Sequence, residues 1–353
     1  MLRKFLTVAT IAVAISQSSF SQDSTKIPIF TLSGSLDAYY RYNFHNAKDS
    51  LHTNNYTSFT NTQNSFELGM ASVKLESTLG KAGATIDLGF GTRANEFSYN
   101  EYVTRSTLSA VKQAFVTYAP SSKLKFSLGK WGTHLGYEVL DAYLNRNYSM
   151  DYMFSFGPFS HTGVKADFTL GALGVMVGVV NPTDYVSAPF SRKNFIAQLS
   201  GGSKGGKVKA FLNYVGGKDL AQSKVNQIDL VVTGVVTDKF SVGYNGTVKS
   251  VKKTGSDANS WWGSAVYLNV DPTSIFGLTF RGEYFSDKKN VAGFGTNIFD
   301  ATLSANFRAG NLTIIPEFRL DSSKDPLFFK NYDTFGPSAK STGSFILAAT
   351  YHF

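Results

Sequence analysis

The stretch Phe30–Phe44, FTLSGSLDAYYRYNF, decides the fold. Its even positions are Phe30, Leu32, Gly34, Leu36, Ala38, Tyr40, Tyr42 and Phe44. Its odd positions are Thr31, Ser33, Ser35, Asp37, Tyr39, Arg41 and Asn43. Successive side chains of a β-strand point to opposite faces, so this segment reads as a strand with one greasy and one polar side. The same alternation recurs along the chain. Ala82, Ala84, Ile86, Leu88 and Phe90 share a face, as do Val164, Ala166, Phe168 and Leu170, and Leu173, Val175, Val177 and Val179. Leu312, Ile314, Pro316, Phe318 and Leu320 repeat it, and Phe345, Leu347, Ala349, Tyr351 and Phe353 close the chain with it. Counted this way there are sixteen strands. Two regions are rougher: a phase switch after Met70 predicts a bulge near Ala71, and Lys112 falls on a greasy face unless the strand bulges there or lies near an edge.

The connections alternate in length. Short ones such as Gly80-Lys81, Gly171-Ala172, Thr237-Asp238 and Arg308–Asn311 read as hairpin turns. Long ones fall at about 45–65, 91–106, 131–158, 181–193 and 321–342. The pattern predicts an up-and-down antiparallel meander with long loops at one end. No linker divides it, so residues 22–353 are expected to form one domain.

Alternation fits both a soluble sandwich and a transmembrane barrel. Four features choose the barrel. Arg3 and Lys4 followed by the apolar run Phe5–Ile15 and small residues to Ser21 form a signal-peptide pattern over residues 1–21. In lipid, closed barrels satisfy every backbone polar group without a helix. The strand number is even. Rings such as Tyr40, Phe90, Trp262, Tyr284 and Phe307 sit near strand ends on the greasy face, with Val, Leu, Ile and Ala between, as interfacial girdles require. Charges keep to the other face, because Lys or Arg against lipid costs about 2–4 kcal/mol at the midplane. The expected fold is an all-β transmembrane barrel of about sixteen strands, with short periplasmic turns and long extracellular loops.

The 353 residues contain no Cys, 34 Lys plus Arg and 25 Asp plus Glu, a formal charge of +9. Absent Cys excludes thiolate metal sites and thiol nucleophiles. The five His show no ligand spacing, and no cofactor is expected. Asp321, Asp325 and Asp333 are solvated loop acids or a calcium site. Gly201–Gly205 (GGSKG) matches the nucleophile-elbow pattern but lies in a turn between strands, not at a strand-to-helix corner. His134 with Asp141 or Asp151 is the pairing a hydrolase would offer. The positive charges are scattered over loops and lumen, so nucleic acid is not an expected partner, and a weak preference for anions is.

The chain resembles bacterial outer-membrane porins, in particular the OmpL-like β-barrel porins. The likeness covers nearly the whole mature length and is strongest over KFSLGKWGTHLGYEVLDAYLNRNY (125–148) and GPFSHTGVKA (157–166). The terminal LAATYHF (347–353) looks like the last-strand signal read by the outer-membrane assembly machinery. The resemblance implies a diffusion channel for small hydrophilic solutes, in contact with outer-membrane lipid and lipopolysaccharide, with a homotrimer as a common assembly. It also implies that loop 131–158 folds inward and narrows the pore, offering Glu138, Asp141, Arg146, Tyr143 and Tyr148. A tyrosine-rich loop simply packed on the wall is the plainer alternative. Wall charges fall in close pairs of opposite sign on one face: Asp37 with Arg41, Lys165 with Asp167, Arg281 with Glu283, Glu317 with Arg319. They either set up a transverse field or neutralise each other. An outer-membrane hydrolase and a non-conducting structural or interaction barrel are the other functions this architecture admits.

Overall fold

The computed structural model describes residues 28–353 apart from 48, 50, 103–105 and 331–335. The expected signal peptide and Asp333 lie outside the described residues.

Sixteen strands close into one antiparallel barrel: β1 (Ile29–Asn43), β2 (Ser65–Leu79), β3 (Ala82–Phe90), β4 (Val111–Ser121), β5 (Leu124–Gly132), β6 (Ser160–Leu170), β7 (Leu173–Val180), β8 (Asn194–Gly202), β9 (Val208–Lys218), β10 (Lys224–Thr237), β11 (Phe240–Lys252), β12 (Ala258–Thr273), β13 (Phe276–Ser286), β14 (Asn297–Ala309), β15 (Leu312–Ser323) and β16 (Ser341–His352). Each strand pairs with its sequence neighbours, and β1 meets β16 with Ala38 opposite Ala349 and Tyr40 opposite Leu347. Closure continues to the last residue, because Gly34 and Phe353 exchange two backbone hydrogen bonds of 3.0 Å. No sheet edge is left unpaired, which lipid demands.

The short turns lie together at one end. Gly80, Gly171 and Gly310 each open a two-residue turn at positive φ, where a side chain would be strained. Bulges account for both irregular regions. The β1–β2 register shifts between Asp37 and Ala38, leaving Gly69 as the extra residue, two positions before the expected site. The β3–β4 register jumps from Gln113 to Val111, so Lys112 is the extra residue and turns inward. A bulge of this kind adds one residue, so the in–out alternation shifts by one across it and the extra side chain is re-aimed.

The barrel is inside-out by the standards of a soluble protein. Val266 on β12 and Leu347 on β16 are 44% and 42% exposed on the outer wall, whereas Arg281, Glu283, Asp300 and Glu317 are fully buried inside. Outer-wall rings pair across strands near the two rims, as with Trp262 and Tyr284 at 5.4 Å and Phe276 and Phe307 at 5.1 Å. Among the described residues no helix is long and apolar enough to cross a membrane; the strands do the crossing. Val266→Arg, near the middle of β12, is therefore expected to lower unfolding stability in lipid vesicles by about 2–4 kcal/mol, while Val266→Leu changes it little. Denaturant titration followed by Trp fluorescence measures both.

Candidate functional site

The interior is organised around the connection 133–159. A backbone bond from Thr133 N to Phe159 O (2.9 Å) closes its base, and the segment between them passes inside the barrel. It begins along β9–β11: His134 Nε2 donates to Tyr214 O (3.2 Å), Gly136 N to Asp229 (3.0 Å) and Tyr137 N to Asn245 (3.2 Å). The Tyr137 ring stacks on Tyr267 of β12 at 4.0 Å. The chain then crosses towards β1 and β13–β16. Asp141 accepts from Lys112 (2.6 Å), and Tyr143 stacks on His352 (4.8 Å). Arg146 pairs with Asp271, itself 2.9 Å from Arg308, and Asn147 donates to Ser304 (2.7 Å).

The returning limb, 148–153, is held by its backbone. Glu317 accepts the consecutive amides of Tyr148 and Ser149 (2.7 and 3.1 Å). Glu283 does the same for Tyr152 and Met153 (2.7 and 2.9 Å), and Glu138 takes Asp151 N (2.7 Å). From the other side, Arg281 donates to Ser149 O (2.7 Å) and Arg319 to Met150 O (2.6 Å). Two hydroxyls complete the attachment, Tyr148 Oη to Asp37 (2.6 Å) and Tyr152 Oη to Asp321 (2.9 Å). A carboxylate has two acceptor oxygens and matches two successive N–H donors, and hydrogen bonds to an ionised acceptor are the stronger kind.

This arrangement settles how the wall charges are partnered. Of the four expected pairs, only Lys165 and Asp167 meet (3.5 Å). Asp37 is instead 3.6 Å from Arg93, and Arg41 donates to Thr53 O, Thr62 O and Ser344. Arg281 pairs with Glu138 (2.6 Å) and Asp300 (2.8 Å). Arg319 pairs with Asp321 (2.8 Å), while Glu283 and Glu317 turn to the loop amides. Mutual neutralisation within a strand is thus corrected at Asp37–Arg41, Arg281–Glu283 and Glu317–Arg319. Buried charges need partners that offset their desolvation, and here those lie on the loop and on neighbouring strands.

Several interior residues escaped the sequence reading. Arg93 is fully buried between the Phe59 and Tyr148 rings, each 4.9 Å away. It comes from the short helix Thr92–Phe97 in an aperiodic connection, so no pattern marked it. Tyr267 donates to Asp151 (2.7 Å). Asp184 accepts from Phe159 N and Ser160 N (2.7 Å each), and burial pushes its carboxyl up to about 6. Lys112 did carry a signal, a charge out of phase with its strand, and the bulge brings it to Asp87 (3.1 Å) as well as Asp141. Gly69 is required here: a Cβ at that position would lie 1.8 Å from the Asp37 carboxylate and 2.7 Å from the Tyr148 hydroxyl.

The hydrolase pairing does not form. His134 faces Tyr214 O and the His161 ring (5.2 Å), Asp141 faces Lys112, and Asp151 takes Phe154 N and Tyr267. Burial pushes His134 down to about 4. Gly201 and Gly202 end β8, and the turn that follows leads into β9. Asp321 is engaged by Arg319 and Asp325 by Thr296, and among the described residues no acidic or His cluster has the arrangement to hold a metal.

Glu138 is pushed up to about 8 by burial, against the pull of Arg281, with Asp151 adding negative charge beside it. Asp300, Glu283 and Tyr267 face the same point. A carboxyl raised in the folded state favours that state while protonated, and the contribution is lost as pH climbs through about 8. Bilayer recordings between about pH 6 and about pH 9.5 should therefore show current noise rising with pH up to about pH 8 and levelling off above it, as the loop loosens. Glu138→Gln should flatten that dependence.

A closed sixteen-stranded barrel with a greasy outer wall and a charged interior is of the outer-membrane porin class. The chain belongs to the OmpL-like β-barrel porins: the family described as "Putative beta-barrel porin-2, OmpL-like" matches residues 29–353. Membership makes it a channel protein of the bacterial outer membrane. Solved structures share the fold at low identity. The outer-membrane channel DcaP of Acinetobacter baumannii superposes with a TM-score of 0.63 at 13% identity, covering 92% of this chain and 97% of that one. An anion-selective porin from Comamonas acidovorans gives 0.63 at 11%, covering 93% and 100%. The trimer form of OmpT from Vibrio cholerae gives 0.55 at 12%, covering 92% and 99%. No curated protein sequence matches.

Proposed function

We propose that the barrel lets small hydrophilic solutes diffuse passively across the outer membrane, through the part of its interior that loop 133–159 leaves open, with a weak preference for anions. The observation that carries this reading is the loop's division of the interior. On the β13–β16 and β1 side, Arg281, Glu283, Glu317, Arg319, Asp37 and Arg41 are packed against protein. Elsewhere cavities remain, of about 580 and 280 Å³ against β8–β11 and of about 300 Å³ against β4 and β5. Glu138 and Asp141 border the one of about 300 Å³, and Lys165 and Asp167 keep part of their surface exposed. On this reading the first six residues shape the pore by holding the loop, and the others by facing the path.

The anion preference rests on charge. The chain carries +9, or about +7 without Arg3 and Lys4 of the export signal, and Lys125 and Lys209 project as exposed cations near the short-turn end, where they would raise local anion concentration. Residues 1–21 serve as the export signal, and the β16 strand ending at Phe353 as the segment recognised during assembly. A homotrimer in lipid is the proposed state, to be checked by cross-linking. Liposome swelling tests the channel: uptake should fall with solute size, and swelling at the rate of empty liposomes would favour a non-conducting interaction barrel. Reversal potentials in a salt gradient test the selectivity, and a cation preference there would remove it.

A further inference from the structure

We propose that conduction is limited at a neck against β10 and β11, where Gln227, Asp229 and Thr247 face Gly136 and the Phe154–Pro158 segment of the loop. The inference rests on the channel reading above and places its narrowest point. That point lies away from the carboxylates of β13 and β15 that fasten the loop.

Three observations carry it. First, the walls of the cavities share residues here. Gln227 and Gly157 belong to the wall of the outer cavity of about 580 Å³. Gly136 belongs to the walls of both inner cavities, of about 300 and 280 Å³. The space bounded by all three shrinks to about 10 Å³. That is room for about one water molecule. Second, Gln227 reaches across it: a Cβ on Gly157 would lie 3.4 Å from the Gln227 side-chain nitrogen. The loop carries no side chain at the point of closest approach.

Third, the wall of the neck is built. Asp229 accepts four hydrogen bonds, from Gly136 N (3.0 Å), Asn213 (2.7 Å), Asn245 (2.5 Å) and Thr247 (2.5 Å). Its charge is balanced by dipoles, and among the described residues no cation pairs with it. Asp229 thus sets the distance between wall and loop, a positioning role, while Gln227 sets the free width. A neck lined by amide, hydroxyl and a dipole-balanced carboxylate on one side and by Phe154 and Pro158 on the other suits small neutral or weakly charged solutes.

The chain has no Cys, so an introduced thiol is the only one that reacts. Single-channel recordings of the full protein carrying Gln227→Cys, before and after a bulky methanethiosulfonate reagent, test the neck. Thr350→Cys, inside the barrel on β16 beneath the fastened limb, is the comparison, and Thr247→Cys repeats the test from the neighbouring strand. Modification at 227 or 247 should remove about half of the current or more, with that at 350 changing little. Gln227→Gly should raise conductance. Current unchanged after modification at 227 and 247, verified by mass, or a larger block from position 350, overturns the neck while leaving the channel intact. Absence of current from the unaltered protein overturns the channel reading and this inference with it.

Discussion

Replacing residues 137–153 with a short Gly–Ser bridge is expected to raise single-channel conductance several-fold and to admit larger solutes in liposome swelling. Sixteen strands enclose an aqueous channel unless something fills it, and here the filling comes largely from one connection. The replaced segment carries Glu138, Asp141, Tyr148 and Tyr152 and every backbone amide held by Glu283 and Glu317. The hydrogen bond at the loop base, Thr133 N to Phe159 O, stays. The wall charges thereby uncovered, Arg281, Arg319, Asp37 and both glutamates, become hydrated rather than stranded, so the barrel keeps its strand ladder. Conductance equal to that of the intact protein would mean that the segment does not obstruct the path.

Arg281→Met is expected to cost about 3–5 kcal/mol of folding stability, the range for breaking a buried ion pair by removing one partner. Arg281 has no exposed surface and holds Glu138, Asp300 and Ser149 O at once. Without it, two carboxylates face each other in a poorly hydrated interior. The protein can relieve this by taking up protons or by letting the loop lift so that water enters, and the second route raises the current as well. Urea unfolding in vesicles reads the stability and bilayer recording the current. Adding Glu138→Gln should recover part of the loss, because the pair is coupled. Lys165→Met, which removes one side of a partly exposed pair 3.5 Å apart, should cost about 0–1 kcal/mol.

The barrel itself was legible because lipid imposes one rule on every strand. Outward positions must be apolar and the interior can be charged, so Phe30–Phe44 announces the architecture and β16 repeats it. Exceptions were legible too when they broke phase: Lys112 on a greasy side asked for a bulge or an edge, and a bulge is what the strand has. The wiring of the interior was not. Asp37 with Arg41 and Glu317 with Arg319 look like pairs because letters record side chains. Their real partners at Glu283 and Glu317 are peptide N–H groups of a loop far away in sequence, and a peptide N–H has no letter. Arg93 was hidden for a related reason, since its place between two rings depends on how two connections pack, which no periodicity encodes.

The grip on residues 148–153 has a consequence for substitutions there. Glu283 and Glu317 seize groups that nineteen of the twenty amino acids share, and proline alone lacks them. A substitution along that limb, other than to proline, therefore gives up only its own side-chain contacts, such as those of the Tyr148 and Tyr152 hydroxyls, and leaves the amide clasps in place.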